Sequence, residues 1–372
     1  MGSMGRKVAF TPGRFAKKIW DLRTFDVSRD GRFIAYSANK GTQWTIYVRD
    51  LRPGREHALV KSEQAMLNPE FSPDGRFVAM QADFHGDENS DVYVVPVKGG
   101  GPKRITDDPM DDADPRWSPD GRTLAFISNR NKDRENVFVV SASGGEAKQL
   151  TFEDDIVSEI AWRPDGRGIA FQIGVGDRDW VGLVDLDGHV SRLVEFPESE
   201  SGISGDYGKS APWSPDGRTL AFFSSVHDHL DIGAVDVETG RVRWLVENRW
   251  DKAMPLWSPD GTRIAYLENH DGNIQLRTVR ADGQGSRPIS PADGVASRPR
   301  WSPEGRGLLY LHSTATTPLR LVLQRGTRRT TVVDSARAKL PKRELAKPRL
   351  VWYPSFDGRK IPALLFMPPK ER

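Results

Sequence analysis

The 372-residue sequence contains no cysteine, which excludes disulfide bonds, thiolate metal sites and cysteine nucleophiles. It has no run of about 18 apolar residues, so it predicts no membrane-spanning helix. No apolar signal-peptide core follows the first methionine. The 54 basic residues nearly balance the 51 acidic ones, whereas a nucleic-acid-binding protein typically has a clear excess of basic residues. We therefore expect a cytoplasmic protein that binds neither nucleic acid nor membrane.

The remaining composition is typical of many short strands, because 35 glycines and 26 prolines punctuate the chain. Asp-Gly or Glu-Gly recurs after Ser-Pro or a close variant, with glycines 44, 46, 45, 51, 44 and 44 residues apart. A period near 45 residues with short β segments is typical of propeller blades. Seven copies predict an all-β, seven-bladed β-propeller of four-stranded antiparallel blades, with glycines at Gly31, Gly75, Gly121, Gly166, Gly217, Gly261 and Gly305.

An aromatic residue precedes most of these turns and occupies one position of the repeat. Aromatic side chains bind sugars and stack on bases, so this position invites a functional interpretation. A shared structural position favours the alternative, in which the side chains are wedges packed between neighbouring blades. The predicted interblade residues are Phe71, Trp117, Trp162, Trp213, Trp257 and Trp301.

The repeats also predict the organisation of the chain. Residues 1–20 are predicted to be a tag scar and an N-terminal extension, since Met1-Gly2-Ser3-Met4 precedes a second methionine. The propeller is predicted at 21–334. Residues 335–348 are basic and polar and are predicted to be a linker, and residues 349–372 are predicted to form a hairpin with an Asp-Gly turn.

The tail contains four short segments that suggest a family: Leu345-Ala346-Lys347-Pro348, Ser355-Phe356-Asp357-Gly358, Ile361-Pro362-Ala363 and Pro368. With these segments, the tail and the repeats together resemble the prolyl oligopeptidase family of serine peptidases, particularly its acylaminoacyl-peptidase-like branch. The repeats alone also resemble TolB-like propellers. The resemblance implies a propeller that precedes an α/β-hydrolase domain, with residues 349–372 as the first hairpin of that domain.

The catalytic residues of that family are absent from this sequence. The family's nucleophile lies in a Gly-x-Ser-x-Gly elbow, and no such pentapeptide occurs. The nearest approach, Gly202-Ile203-Ser204-Gly205-Asp206, fails at its fifth position. The acid and the histidine that follow in the family would lie beyond Arg372. We therefore expect no catalysis by this chain, whereas the resemblance implies that the parent protein is a serine peptidase.

Two polar segments are candidates for a binding site. Carboxylates crowd one loop of the second repeat, where they are candidates for contact with a cation such as Ca²⁺ or with the amino terminus of a peptide: Asp107, Asp108, Asp111, Asp112 and Asp114. A solvated loop is the favoured alternative. His227-Asp228-His229 has a metal-like spacing, but no third ligand is identifiable nearby in the sequence, so a solvated loop is favoured there as well. We expect no cofactor and no metal.

The resemblance implies a non-catalytic gating and docking propeller, which admits short peptides to an α/β-hydrolase catalytic domain in the same parent chain or in trans. An alternative is a TolB-like protein-interaction scaffold. A third is a metal-dependent propeller enzyme, which needs a ring of ligands around the axis that the sequence does not reveal.

Overall fold

The computed structural model describes residues 19–84, 86, 88–131, 134–174, 179–204, 211–336 and 345–367. These residues contain thirty strands and no helix. Accordingly, none of the described segments is a helix of the length and apolarity needed to cross a membrane. The predicted tag scar and N-terminal extension (1–20) and the predicted linker (335–348) lie mostly outside the described residues.

Twenty-eight strands follow one another in consecutive groups of four. Group 1 contains β1 (Asp21–Val27), β2 (Phe33–Asn39), β3 (Trp44–Asp50) and β4 (Glu56–Ser62), and group 2 contains β5 (Met66–Phe71), β6 (Phe77–Ala82), β7 (Asp91–Pro96) and β8 (Lys103–Arg104). Group 3 contains β9 (Asp112–Trp117), β10 (Thr123–Ser128), β11 (Asn136–Ser141) and β12 (Lys148–Gln149), and group 4 contains β13 (Val157–Trp162), β14 (Gly168–Ile173), β15 (Trp180–Asp185) and β16 (Val190–Glu195).

Group 5 contains β17 (Ser201–Gly202), β18 (Thr219–Ser224), β19 (Asp231–Asp236) and β20 (Val242–Val246), and group 6 contains β21 (Lys252–Trp257), β22 (Arg263–His270), β23 (Asn273–Arg280) and β24 (Arg287–Pro288). Group 7 contains β25 (Val295–Trp301), β26 (Leu308–Thr314), β27 (Thr317–Arg325) and β28 (Arg328–Asp334), and a separate hairpin consists of β29 (Arg349–Pro354) and β30 (Lys360–Leu365).

Within each group the strands pair antiparallel in chain order, which confirms the predicted all-β fold of four-stranded antiparallel sheets. Groups 1 to 5 are separate sheets. A parallel bridge between Ile274 and Val295 joins groups 6 and 7 into one eight-stranded sheet. Because of this joined sheet, the count of seven blades stays a prediction.

The Ser-Pro-Asp-Gly segments form the turns between the first and second strands. In group 2 the Ser72 hydroxyl donates to Asp74 Oδ1 (2.6 Å) and accepts from Phe77 N (3.0 Å). Gly75 has φ 70°, a left-handed conformation that residues with a Cβ resist. Burial acts to raise the pKa of Asp74, but hydrogen bonds from Ser72 and Arg76 outweigh it and lower the pKa to about 2. The same 2.6 Å Ser–Asp bond recurs at Ser28, Ser118, Ser214 and Ser258.

Apolar side chains fill the space between neighbouring groups. One cluster packs Val92 and Val94 of group 2 against Phe126 of group 3, and similar clusters join the other consecutive groups. A further cluster packs Tyr36 of group 1 against Leu309 of group 7. The groups therefore close into a ring. The first strands of groups 7, 1, 2, 3 and 4 contact one another in succession, which places them at its centre.

The chain enters and leaves this ring at one place. Ile19, just before β1, pairs with Ala336, and Trp20 N donates to the Ser335 carbonyl (3.0 Å). All four strands of group 1 come from one continuous segment. Between groups 1 and 7 the described residues close the ring by side-chain packing and by this short backbone contact, and no described strand of one group completes the sheet of the other.

Candidate functional site

Five of the six predicted interblade aromatic residues end the first strands of their groups, and Trp213 lies after β17, in an isolated bridge with Leu220. The Trp117 indole donates to the Glu70 carbonyl of the preceding group (3.1 Å). The indoles of Trp162, Trp213 and Trp301 make the same contact with the carbonyls of Arg116, Ala161 and Leu256. Phe71 is buried in the cluster between groups 1 and 2. The four hydrogen-bonded indoles, those of Trp117, Trp162, Trp213 and Trp301, therefore each connect two neighbouring groups at the ring centre.

Trp257 departs from this pattern. It is buried, but its indole Nε1 has no hydrogen-bond partner among the described residues. The equivalent carbonyl in group 5 is that of Pro212, which accepts from Ala221 N (2.8 Å). Trp257 N in turn donates to the Ala211 carbonyl (3.0 Å). The first strand of group 5 is thus irregular beside group 6, and the start of this irregular stretch, residues 205–210, lies outside the described residues.

The carboxylates of the predicted acidic loop point to different partners. Asp107 pairs with Arg104 (2.7 Å) and Asp111 accepts from Ser90 N (2.8 Å). Asp108 and the fully buried Asp112 both face Arg130, at 3.9 and 2.6 Å, and Asp114 pairs with Arg116 (2.7 Å). The loop is not among the groups of described residues in which three or more candidate metal ligands come together. Each of its five carboxylates has at least one hydrogen-bond or ion-pair partner within the protein.

The first strands carry a set of charged side chains of which only Asp114 was a candidate from the sequence. We define it as the axial charge cluster, with the members Asp26, Glu70, Asp114, Arg116, Glu159, Arg298 and Arg300. The Arg116 side chain is 8% exposed and pairs with carboxylates of three successive groups, at 3.8 Å to Glu70, 2.7 Å to Asp114 and at shorter range to Glu159. Arg116 thereby ties groups 2, 3 and 4 together at the ring centre.

Backbone contacts extend this cluster. Asp26 accepts from Phe71 N (2.9 Å) and Glu70 accepts from Trp117 N (3.0 Å), so each carboxylate bonds to the next group. Burial acts to lower the pKa of Arg116, but the attraction of Asp114, Glu159 and Glu70 outweighs it and raises the pKa. Burial lowers the pKa of Arg298 and of Arg300, against the pull of nearby carboxylates.

Beside the axial charge cluster lies a cavity of about 310 Å³, and its lining includes Asp26, Glu70, Arg116, Arg300 and Trp213. A sequence signal for these residues exists in the repeat. The charged residues lie one or three positions before the aromatic residue, as Glu70 does before Phe71 and Arg116 before Trp117. A charged residue at one of those positions indicates a buried ion pair only when the first strand is known to line the ring centre.

A second cluster missed from the sequence lies at the edge of group 5. His227, Asp231 and Glu247 each bring one ligand atom within 4.8 Å of the others. The expectation that His227 has no third ligand nearby is therefore wrong. The pairing of β19 with β20 places Ile232 opposite Val246, and this register sets Asp231 next to Glu247. His229 lies elsewhere, 3.7 Å from Asp251.

The C-terminal hairpin differs from the groups in its exposure. Among the described strands, β29 and β30 pair only with each other. Most of the exposed large apolar residues in the described part of the chain belong to this hairpin and its end, including Trp352 (50%), Tyr353 (50%) and Phe366 (54%). The ends of the predicted hairpin segment, residues 368–372, lie outside the described residues.

Comparison with known proteins extends these observations. Residues 22–202 and 198–337 match the family described as TolB beta propeller domain (PD40). A Bacillus subtilis (strain 168) protein named "Uncharacterized peptidase YuxL" is 40% identical over 73 residues, which is 18% of this chain and 11% of that protein. The aligned region thus spans a small part of that relative.

Solved peptidases share the fold. A Mycobacterium tuberculosis puromycin-hydrolyzing peptidase has a TM-score of 0.77 at 15% identity, covering 94% of this chain and 59% of that one. An acylaminoacyl peptidase has a TM-score of 0.69 at 16% identity, covering 92% and 57%. The chain thus spans less than two thirds of these proteins, and the likeness is one of fold. Because the family match covers most of the chain and the sheets close into a ring, this chain belongs to the TolB beta propeller domain family.

Proposed function

We propose that this chain is the non-catalytic propeller of a prolyl oligopeptidase-family serine peptidase, which docks an α/β-hydrolase catalytic domain and limits its access to short peptides. The observation that carries the proposal is the exposed hairpin of β29 and β30. A two-stranded hairpin by itself is marginally stable in water. Its exposed apolar side chains and its two open edges suit a sheet supplied by a second domain.

The route of the chain supports docking at one position. The segments that enter group 1 and leave group 7 are hydrogen-bonded to each other at Trp20 and Ser335. Both connections of the ring therefore lie together, and the hairpin follows the second of them. A hydrolase domain attached through this hairpin would sit over one part of the ring.

The ring centre supports a gating role. The cavity beside the axial charge cluster measures about 310 Å³, which is small compared with any folded domain. The cluster itself joins groups 2, 3 and 4 through Arg116, so the inner strands are held together by buried ion pairs. Under this proposal, chain segments pass the ring centre and folded proteins do not.

The coding sequence that follows Arg372 provides the first test. The proposal expects a Gly-x-Ser-x-Gly elbow followed by an acid and a histidine in that order. The chain alone should show no labelling by a fluorophosphonate probe, and the longer protein should be labelled. An open reading frame without that elbow would contradict the proposal and favour a TolB-like interaction scaffold.

Gating is tested with one cleavage sequence presented in two ways, as a short acylated peptide and in a loop of a folded domain. The hydrolase domain alone should cleave both. Addition of this chain should suppress cleavage of the folded substrate and spare the peptide. The matched control is the same chain without residues 349–372, which should not suppress cleavage because the docking hairpin is gone. Equal suppression by both chains would refute docking through the hairpin.

A further inference from the structure

We propose that His227, Asp231 and Glu247 form a binding site for a divalent metal ion of the zinc type at the edge of group 5. His227 lies in the connection between β18 and β19, Asp231 begins β19, and Glu247 directly follows β20. One ligand atom of each residue lies within 4.8 Å of the other two. This inference is independent of the proposed peptidase function.

The distances between the ligand atoms suit a tetrahedral ion. His227 Nδ1 is 3.3 Å from Asp231 Oδ2 and 3.7 Å from Glu247 Oε2. Zinc binds nitrogen and oxygen ligands at about 2.0–2.2 Å, so two ligands of one tetrahedral zinc ion are roughly 3.4 Å apart. In the other three-residue group, His189 Nδ1 and Asp185 Oδ2 are 2.9 Å apart, closer than two ligands of one zinc ion. His227 Nδ1 and Asp231 Oδ2 are hydrogen-bonded at 3.3 Å, and an ion would replace that bond without moving the two atoms far.

The surroundings already orient two of the ligands. Asp231 is buried, and its Oδ1 accepts from Lys252 Nζ (2.7 Å) and from Asn248 N (3.3 Å). These contacts leave Oδ2 as the oxygen that faces His227. The His227 ring packs edge-on against Trp244, with centroids 4.6 Å apart. Fixed partners of this kind hold metal ligands in place and strengthen binding.

The ligand types select the metal. An imidazole with two carboxylates suits zinc and its first-row neighbours, whereas Ca²⁺ and Mg²⁺ prefer oxygen ligands alone. Lys252 balances the charge of Asp231 from the other carboxylate oxygen and also donates to the Asn248 and Trp250 carbonyls. The side chains of His227 and Glu247 are 41% and 57% exposed, so an ion has access from solvent and water completes its coordination.

The test titrates the full chain with Zn²⁺ by calorimetry and with Co²⁺ by visible absorption, which reports four-coordinate geometry. We expect one saturable site. His227→Ala and Glu247→Gln should each weaken binding at least about tenfold, the usual cost of disturbing a metal site. The matched controls, His229→Ala and His189→Ala, should change affinity less than twofold. Asp231 is left intact, because its removal would strand the buried Lys252.

Three results would overturn the inference. The first is no saturable binding of either ion by the wild-type chain. The second is binding that His227→Ala and Glu247→Gln leave unchanged while the chain remains folded by far-ultraviolet circular dichroism. The third is binding that His189→Ala abolishes, since this would place the ion in the exposed turn of Asp185 and His189. Ca²⁺ binding at the same affinity as Zn²⁺ would also contradict the assignment of the metal.

Discussion

Replacement of Arg116 by alanine tests whether the axial charge cluster holds the ring together. The substitution leaves the carboxylates of Glu70, Asp114 and Glu159 close together without the cation that pairs with all three. Removing one partner from a buried ion pair typically costs about 3–5 kcal/mol, because the remaining charge stays buried. We expect Arg116→Ala to lower the free energy of unfolding by this amount at pH 8.

The pH dependence of this loss distinguishes stranded charge from lost packing. Without Arg116, the charges of Glu70, Asp114 and Glu159 stay close together in a buried site, and both burial and like charge disfavour the ionised form of a carboxyl. A carboxyl with a raised folded pKa destabilises the protein as pH rises and is relieved when it protonates. The loss of stability should therefore be smaller at pH 5 than at pH 8 by at least about 1 kcal/mol.

Urea denaturation followed by tryptophan fluorescence at both pH values measures this difference. The control is Arg76→Ala, since Arg76 is 76% exposed and pairs with Asp74 at the surface (2.5 Å); such pairs contribute about 1 kcal/mol or less. A loss below about 1 kcal/mol for Arg116→Ala, or a loss of equal size at both pH values, would refute the reasoning about the axial charge cluster.

Further predictions concern the aromatic residues, the turns and the hairpin. Trp213→Phe should lower the free energy of unfolding, measured by urea denaturation, by about 1–2 kcal/mol more than Trp257→Phe does. Of these two indoles, that of Trp213 has a hydrogen-bond partner among the described residues and that of Trp257 has none. Because the folded pKa of Asp74 is lowered to about 2, its stabilisation is present above pH 4 and is lost as pH falls towards 2; Ser72→Ala should shrink that loss. Deleting residues 349–372 should leave the melting temperature of the ring unchanged, and hydrogen exchange should show β29 and β30 less protected than β2.

The turns and strands were predictable because their signals are local. Gly75 takes a left-handed φ of 70°, and this requirement recurs wherever the first strand turns into the second. The apolar second strands follow at once, as in Val78 and Met80, which are fully buried. A regular spacing of such turns specifies both the four-stranded sheets and their order. The four-strand repeat therefore follows from local chemistry alone.

The two charged clusters were not predictable in the same way, because both depend on which strands are neighbours in space. Glu70, Arg116 and Glu159 are more than 40 residues apart in sequence and meet only when successive first strands line the ring centre. Glu247 reaches Asp231 only through the register of β19 with β20. The carboxylates of the acidic loop are close in sequence, but the cations that they pair with, Arg104, Arg130 and Arg116, could not be predicted from that closeness.

The axial charge cluster lies where the first strands of neighbouring groups meet. Since group 1 is built from one continuous segment, the described contact between groups 1 and 7 depends on side chains such as Tyr36 and Leu309 and on the backbone bond from Trp20 to Ser335. Apolar side-chain packing fixes the relative orientation of two groups less strictly than a ladder of strand hydrogen bonds does, because apolar contacts have no preferred geometry. Hydrogen bonds and ion pairs from the first strands, such as those of Asp26 and Arg116, fix the register of neighbouring groups. The axial charge cluster thus supplies orientation at the centre, while the apolar clusters supply most of the stability between the groups.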